Sequence, residues 1–259
     1  MNKTKNEYRS NNLNDFIKEI KYKNRNPIDN SVLHSLKIFE TNPELHLYPG
    51  KCLYRSRIIH KGDKIDSKSP FFGFNKEKSF VPPLEFTRDM RANYRYIPYL
   101  YCATSPYLSV VEVRPRLGMK VSVATIVVKE NLRLLDFSMQ SPSEKNLDKT
   151  KTNLMGALSQ LYSKPVIEDD DTVDYIPTQY IAEYVKNIGY DGIAFKSSLY
   201  DNKSELNIVV FEYNKCEAAE SVIYTVNQND YSCSLEHNDG NSTNFPITLE
   251  ATRQTKNNQ

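Results

Sequence analysis

The sequence contains few glycines and histidines, and it lacks the short motifs that several common enzyme classes require. Its eight glycines form neither a G-x-G-x-x-G nor a G-x-x-x-x-G-K-[ST] pattern, so nucleotide binding by a Rossmann or P-loop cradle is not expected. The four histidines are scattered, and no H-E-x-x-H occurs, which argues against a metal site and against a serine triad. These absences favour a metal-free mechanism without histidine.

Cysteines, long apolar runs and excess charge are also scarce. The four cysteines, Cys52, Cys102, Cys216 and Cys233, have no C-x-x-C spacing, which indicates reduced thiols in a reducing compartment. No apolar run approaches the roughly 18 residues that span a membrane, and the N-terminus has no apolar signal segment. We therefore expect a cytoplasmic protein without a membrane partner. Basic and acidic residues nearly cancel, 34 against 32, so no nucleic-acid partner is expected.

Composition divides the chain into three zones. Residues 1–48 carry apolar residues at helical spacing (Leu13, Phe16, Ile17 and Ile20), then a second apolar cluster at 32–39, and they predict an N-terminal helical extension. Residues 227–259 are dominated by Asn, Ser, Thr, Gln and Asp, too polar to offset chain entropy, and predict a tail that is mostly disordered or loosely docked. Residues 49–226 between them form the predicted main domain.

The middle zone alternates strand and helix patterns irregularly. The strand candidates are CLYRSRI, YLYCA, KVSVATIVV, LRLLDF, DGIAF and NIVVFEY. Helices are predicted at 105–112, at about 143–162, and in TQYIAEYVKNIG, where Thr178 can cap the start and Gly189 can end the helix. Because strands outnumber the helices available for crossovers, we expect an α+β domain with a mixed, partly antiparallel β-sheet and flanking helices.

The helix predicted at 105–112 carries an acid where a core residue is expected. With Ser105 as its cap, Leu108 and Glu112 fall on one helical face, which should be buried. A dry, unpaired carboxylate there would be costly. Either Arg114 or Arg116 neutralises it, or the face opens into a cleft that solvent and substrate reach, which is the option we expect.

Two further segments carry polar groups at strand positions. In CLYRSRI, Arg55 and Arg57 alternate with apolar residues and share one face; one of them can hold a phosphate by a bidentate fork, or both are solvated on an edge strand. In GYDGIAFKSS, Ser197 ends one strand, and Asn207 opens the next. That loop is either an ordinary connection or part of a site.

Taken in this order, the segments resemble the RES domain family. The similarity rests on LYRSR, on PYLYCATSPYLSVVEVRP, and on YIPTQYIAEYVKNIGYDGI followed by AFKSS and NIVVF, over roughly residues 50–215. It implies a fold like that of mono-ADP-ribosyltransferases. It also implies a toxin of a toxin–antitoxin pair that consumes NAD+ by hydrolysis or phosphorolysis, with a cognate antitoxin as protein partner and no cofactor besides NAD+ as substrate.

The resemblance also implies roles for individual residues. It assigns the catalytic residues of the family pattern to Arg55, Glu112 and Ser197, with Arg57 and Ser198 as neighbouring alternatives. The family often has a G-R-[WY]-N-like turn where this chain has RDMRANYRYIPY, so the stacking aromatic stays open between Tyr94 and Tyr96. The substrate-binding candidates are therefore Arg57, Tyr94, Tyr96 and Asn207.

These residue types suit the implied reaction. Cleavage between nicotinamide and ribose expels a neutral leaving group and develops positive charge on the ribose, which a fixed carboxylate stabilises. A guanidinium pairs with the pyrophosphate by two parallel bonds. Serine and asparagine can orient amide or hydroxyl groups. Two other functions remain open on the same residues: transfer of ADP-ribose to a macromolecule, and a non-catalytic interaction module.

Overall fold

The β-branched and aromatic runs of the sequence form the strands of one mixed sheet. The computed structural model describes residues 7–26, 44–65, 68–138, 149–164, 172–200 and 204–227. Their strands are β1 (Glu44–Leu47), β2 (Cys52–Ile59), β3 (Leu100–Ala103), β4 (Lys120–Val128), β5 (Leu132–Asp136), β6 (Gly192–Phe195), β7 (Asn207–Val210) and β8 (Cys216–Thr225). Within the described residues these eight strands lie in the order β1-β5-β6-β7-β3-β2-β4-β8.

Strand direction and the flanking helices define the fold class. β5 and β6 are parallel, whereas the other neighbouring strands are antiparallel. The described α-helices are α1 (Glu7–Tyr22), α2 (Lys76–Ser79), α3 (Pro106–Glu112), α4 (Lys149–Ser163) and α5 (Ile176–Asn187). The α+β architecture with a mixed, partly antiparallel sheet, expected from the sequence, is confirmed.

Apolar side chains pack on both faces of the sheet. On one face, α1, α4 and α5 contribute Phe16, Leu158 and Val185 to a cluster that includes Val209 of β7. The next residue along β7, Ile208, belongs to a second cluster, because successive strand residues point to opposite faces. The helix predicted near the N-terminus therefore packs on the sheet domain.

The structure confirms most predicted elements and corrects some of their bounds. Helix α5 begins at Ile176, two residues before the predicted cap Thr178, because a proline occupies its first turn. The Thr178 hydroxyl instead donates to the Tyr175 carbonyl. Gly189, with φ +93°, follows the helix as predicted. Strand β7 ends at Val210, and the chain then turns through a short 3-10 helix.

Some predictions fall on residues that the structure does not describe, and two strands were not predicted. Helix α4 starts at Lys149, and the predicted residues before it lie outside the described residues. The same holds for the apolar cluster at 32–39 and for residues 228–259. Strands β1 and β8 were not among the predicted strands. No helix in the described part of the chain is long and apolar enough to cross a membrane.

The sheet separates at the seam between β2 and β3. Within the described strands, only Tyr54 and Ala103 pair across this seam, whereas β2 pairs with β4 along its full length from Cys52 to Ile59. Beyond Tyr54 the two strands diverge, and residues of either face can then border the gap. A cleft lies at this position.

Candidate active site

The cleft has a volume of about 370 Å³ and lies where β2, β3 and β7 face helix α3. Each of the three strands contributes three consecutive residues to its lining: 54–56, 101–103 and 207–209. Consecutive residues of a regular strand point to opposite faces of a sheet. The presence of residues from both faces in one lining therefore follows from the divergence of β2 and β3.

Helix α3 carries Glu112 to the edge of this cleft. The Ser105 side chain caps the helix by accepting a bond of 3.1 Å from the Leu108 amide, and Pro106 takes a first-turn position. Leu108 is fully buried, whereas Glu112, on the same face one turn later, is exposed and lines the cleft. The apolar face of α3 therefore opens into the cleft at its last residue.

Two neutral donors hold the Glu112 carboxylate. Ser197 Oγ donates to Glu112 Oε1 over 2.6 Å, and Asn207 Nδ2 donates to the same oxygen over 2.7 Å. Among the described residues, Oε2 has no hydrogen-bond partner, and neither Arg114 nor Arg116 forms an ion pair with this carboxylate. Glu112 is thus oriented through one oxygen, and its second oxygen is left for a ligand in the cleft.

The second charged group of the cleft is Arg55, in the middle of β2. Its Nη1 atom is buried, and among the described residues it has no hydrogen-bond partner. Burial lowers the pKa of the Arg55 guanidinium to about 10, because desolvation penalises the charged form. A buried guanidinium nitrogen without a partner is unfavourable in the absence of a ligand, and an anion that enters the cleft would supply the partner that Nη1 lacks.

Comparison of the sequence with models of known protein families gives one match. The model of the RES domain matches residues 54–235. The chain belongs to the RES domain family. Among solved structures, a chain of the M. tuberculosis MbcT-MbcA toxin-antitoxin complex is similar, with 15% sequence identity and a TM-score of 0.41; the match covers 77% of this chain and 94% of that chain. No curated protein matches the sequence.

Four of the residues singled out by the RES resemblance lie together in the structure. Arg55, Glu112 and Asn207 line the cleft, and Ser197 binds Glu112. Ser197 is half-buried, whereas its neighbour Ser198 is exposed. The Ser197 oxygen also accepts from the Leu199 amide over 2.9 Å, which fixes the hydroxyl against Glu112.

Three other candidates lie outside the cleft lining. Arg57 is exposed; its Nη1 donates to the Lys78 carbonyl over 2.7 Å, and its guanidinium lies 5.1 Å from the centre of the Phe74 ring. Tyr94 is half-buried, and Tyr96 is 57% exposed. The structure thus separates Arg55 from Arg57 and leaves both tyrosines away from the cleft.

The aromatic side chains that do border the cleft belong to Tyr54, Tyr101, Tyr175 and Phe195. The Tyr101 hydroxyl donates to Asn93 Oδ1 over 2.7 Å and accepts from the Ala92 amide over 3.1 Å. Burial raises the pKa of Tyr101 above its usual value, so it remains a neutral donor. Tyr54 directly precedes the arginine of the family's opening element, a position from which the sequence pattern could have identified it.

Arg91 also lines the cleft, although it was not among the assigned site residues. Its guanidinium donates to the main-chain carbonyls of Leu161, Tyr162 and Lys164 at the end of α4. Cationic donors commonly stabilise helix C-termini in this way. Burial lowers the pKa of Arg91. Arg91 therefore links the C-terminal end of α4 to the lining of the cleft through hydrogen bonds.

A buried amide network fixes the loop that carries Arg91. Gln179 Nε2 donates to the carbonyls of Met90 and Asn93, each over 2.9 Å, and Asn93 Nδ2 donates to the Arg88 carbonyl over 3.0 Å. Both amide side chains are almost fully buried. The segment RDMRANYR, which departs from the family's glycine-containing turn, is thus held by side-chain amides.

The described part of the chain contains no group of three or more His, Cys, Asp or Glu residues that could hold a metal ion. Cys52, Cys102 and Cys216 are free thiols, whereas Cys233 lies outside the described residues. Cys102 borders the cleft, and burial raises the pKa of its thiol. This cysteine is therefore a neutral wall residue next to Arg55.

Ser197→Ala tests the hydroxyl that positions Glu112. We expect turnover to fall by about 5- to 150-fold, since loss of a hydrogen bond to a charged group corresponds to roughly 1–3 kcal/mol. The matched control is Ser198→Ala at the exposed neighbour, for which little change is expected. Steady-state kinetics with NAD+, the substrate that the RES resemblance implies, compares the two variants, and equal small effects would remove both serines from the site.

Proposed function

We propose that this RES family member is an NAD+-consuming toxin that cleaves the bond between nicotinamide and ribose. The observation that carries the proposal is the presence of a cationic and an anionic side chain in one cleft. Arg55 has a buried guanidinium nitrogen without a partner among the described residues, and Glu112 has a carboxylate oriented through one oxygen. NAD+ presents complementary groups, an anionic pyrophosphate and a ribose that becomes cationic as nicotinamide leaves.

In the proposed reaction, the C–N bond between ribose and nicotinamide breaks, and both bonding electrons leave with nicotinamide. The ring nitrogen loses its positive charge, so the leaving group needs little protonation. Positive charge develops on the ribose instead, where Glu112 stabilises it electrostatically. Ser197 and Asn207 maintain the carboxylate in position before the substrate arrives. Such preorganisation avoids reorientation during the reaction.

Substrate binding is assigned to the arginine and the aromatic walls. The Arg55 fork binds the pyrophosphate, which would supply the partner that Nη1 lacks. Tyr54 and Tyr175 offer aromatic faces for a planar ring of the substrate. The acceptor of the ADP-ribosyl group is water in hydrolysis or inorganic phosphate in phosphorolysis. Neither reaction requires a cofactor in addition to NAD+.

Product analysis tests the proposal directly. Purified protein is incubated with NAD+, with and without inorganic phosphate, and the products are identified by mass. Release of nicotinamide with ADP-ribose indicates hydrolysis, whereas a phosphorylated ADP-ribose formed only with phosphate indicates phosphorolysis. ADP-ribose attached to protein or nucleic acid would support a transferase. Intact NAD+ alongside a correctly folded protein would contradict all three and favour an interaction module.

The biological role follows from the same reaction and from family membership. Expression in the cytoplasm is expected to lower cellular NAD+ and arrest growth, and a cognate antitoxin that covers the cleft should prevent both effects. Cellular NAD+ is measured during induction, with the Glu112→Gln variant as the inactive control. Growth arrest at normal NAD+ levels would point to another target.

A further inference from the structure

Helix α1 lies outside the segment that the RES family model matches, yet it packs on a part of the chain that borders the cleft. The family match begins at residue 54, whereas α1 covers Glu7–Tyr22. Leu13, Phe16 and Ile20 fall on one helical face and are buried in the apolar cluster to which helix α5 also contributes. Helix α1 is therefore part of the folded domain, although the family match does not reach it.

The last turn of α1 forms an ion pair with the short 3-10 helix Thr172–Tyr175, which directly precedes α5. The Lys21 ammonium group donates to the Asp174 carboxylate. Only 12% of the Lys21 side chain is exposed, against 43% of the Asp174 side chain, so solvent screens the pair only in part. The hydrogen bond from Lys21 lowers the pKa of Asp174, which keeps this carboxylate ionised at neutral pH.

A second contact from α1 lies a few residues further along the same stretch. The Phe16 ring packs edge-on against the Tyr180 ring, with 5.5 Å between the ring centres. Asp174 and Tyr180 lie on either side of Tyr175 in the sequence, and Tyr175 borders the cleft. Helix α1 thus contacts the chain both before and after a residue of the cleft lining.

The stretch that α1 contacts shapes the cleft at two places. Tyr175 belongs to its lining directly. Gln179, one helical turn later, donates to the carbonyls of Met90 and Asn93, each over 2.9 Å, and thereby fixes the loop that carries Arg91. A displacement of residues 174–180 would therefore change the lining of the cleft.

We propose that Lys21 is a positioning residue for the cleft, because its ion pair with Asp174 holds the 3-10 helix so that Tyr175 stays in the lining. Lys21 is not itself a lining residue, so it acts through Tyr175. The inference rests on the proposed function, since it takes NAD+ as the ligand of the Tyr175 ring. That ring is proposed to face a planar ring of the substrate rather than the reacting ribose. Loss of the ion pair should therefore weaken substrate binding more than it slows the chemical step.

The kinetic test compares Lys21→Met with Lys18→Met. Lys18 is exposed on the same helix, so its variant controls for the loss of one positive charge from α1. Lys21→Met should raise the KM for NAD+ about three- to tenfold and change kcat less than about twofold, as for coupled residues of one network. Lys18→Met should change either value less than about twofold. An unchanged KM in Lys21→Met, or equal changes at positions 18 and 21, would overturn the inference.

A double-mutant cycle identifies the residue through which Lys21 acts. In a Tyr175→Leu background, Lys21→Met should have little further effect on the KM for NAD+, because the ring that the ion pair positions has been removed. A role of Lys21 in overall stability alone would give the same effect in both backgrounds. An undiminished rise in KM in the Tyr175→Leu background would therefore refute the proposed route.

Hydrogen exchange measures the positioning without any ligand. In Lys21→Met, the amides of residues 175–181 should exchange at least about tenfold faster than in the wild type, whereas those of α1 stay protected because its apolar face remains buried. Unchanged exchange at 175–181 would contradict the role of Lys21, even if the wild type consumes NAD+. Faster exchange in the variant, together with a wild type that leaves NAD+ intact, would refute the proposed reaction and retain the positioning role.

Discussion

Glu112→Gln is expected to lower NAD+ turnover by about 100-fold or more while the fold and NAD+ binding persist. The size is that expected when one preorganised electrostatic stabiliser is lost. The amide oxygen of glutamine can still accept from Ser197 and Asn207, which now bond to Oε1. The amide nitrogen then replaces Oε2, so a neutral donor faces the developing cation where an anion stood.

The alternative role of Glu112 as a structural ion-pair partner makes the opposite prediction. Loss of such a partner would strand an arginine and lower the melting temperature, with turnover per folded molecule nearly unchanged. Thermal unfolding and NAD+ consumption are therefore measured on one preparation. Glu130→Gln, at an exposed acid between β4 and β5, serves as the matched control. A destabilised but fully active Glu112→Gln enzyme would refute the catalytic assignment.

Sequence patterns predicted much of the fold because many of its helices and strands are specified by neighbouring residues. The cap at Ser105 and the proline after it define α3, and the β-branched runs of β4 and β7 define strands in the core. Strand β8 was missed because its second half is largely exposed and shows no clear alternation. Its pairing with β4 is a long-range contact that local sequence does not encode.

The candidate site was predictable in part for the same reason. Helical spacing placed Glu112 on an otherwise apolar face, and that spacing alone indicated a cleft or an ion pair. Period-two alternation, however, placed Arg55 and Arg57 on one face and could not separate them. The separation depends on where β3 diverges from β2 and on the Lys78 carbonyl that engages Arg57. Both contacts join distant parts of the chain.

The cleft aromatics illustrate the limit of a family pattern. The family pattern pointed to Tyr94 and Tyr96, which lie in the segment that differs from the family's G-R-[WY]-N-like turn. In the structure Tyr96 has φ +69° and lies beside the Arg95 guanidinium at 5.1 Å. Tyr54, Tyr101 and Tyr175 border the cleft instead, from three separate parts of the chain. Their convergence is a property of tertiary structure alone.

Substitution of Arg55 is expected to weaken NAD+ binding strongly, and removal of its charge is expected to stabilise the ligand-free protein. Arg55→Lys should raise the KM for NAD+ strongly, because an ammonium cannot form the two parallel bonds of a guanidinium with the pyrophosphate. Arg57→Lys should have a smaller effect, since Arg57 engages the Lys78 carbonyl and the Phe74 ring. The reverse ranking in steady-state kinetics would assign the pyrophosphate to Arg57.

Arg55→Met should abolish measurable NAD+ binding yet stabilise the ligand-free protein by roughly 1–3 kcal/mol, because it removes a desolvated charge with one buried nitrogen that lacks a partner among the described residues. The direction of this change in stability follows from the pKa of Arg55, which burial lowers to about 10 in the folded protein. Both folded and unfolded states are charged at any pH well below 10, so the full desolvation penalty is present at pH 7; it declines only as pH rises through about 10. Arg57→Met, which loses the bond to Lys78, should lower stability modestly. Chemical denaturation at pH 7 without ligand measures the free energy of unfolding of both variants. A destabilised Arg55→Met protein would show that this guanidinium stabilises the fold and would contradict its role as an anion-binding group.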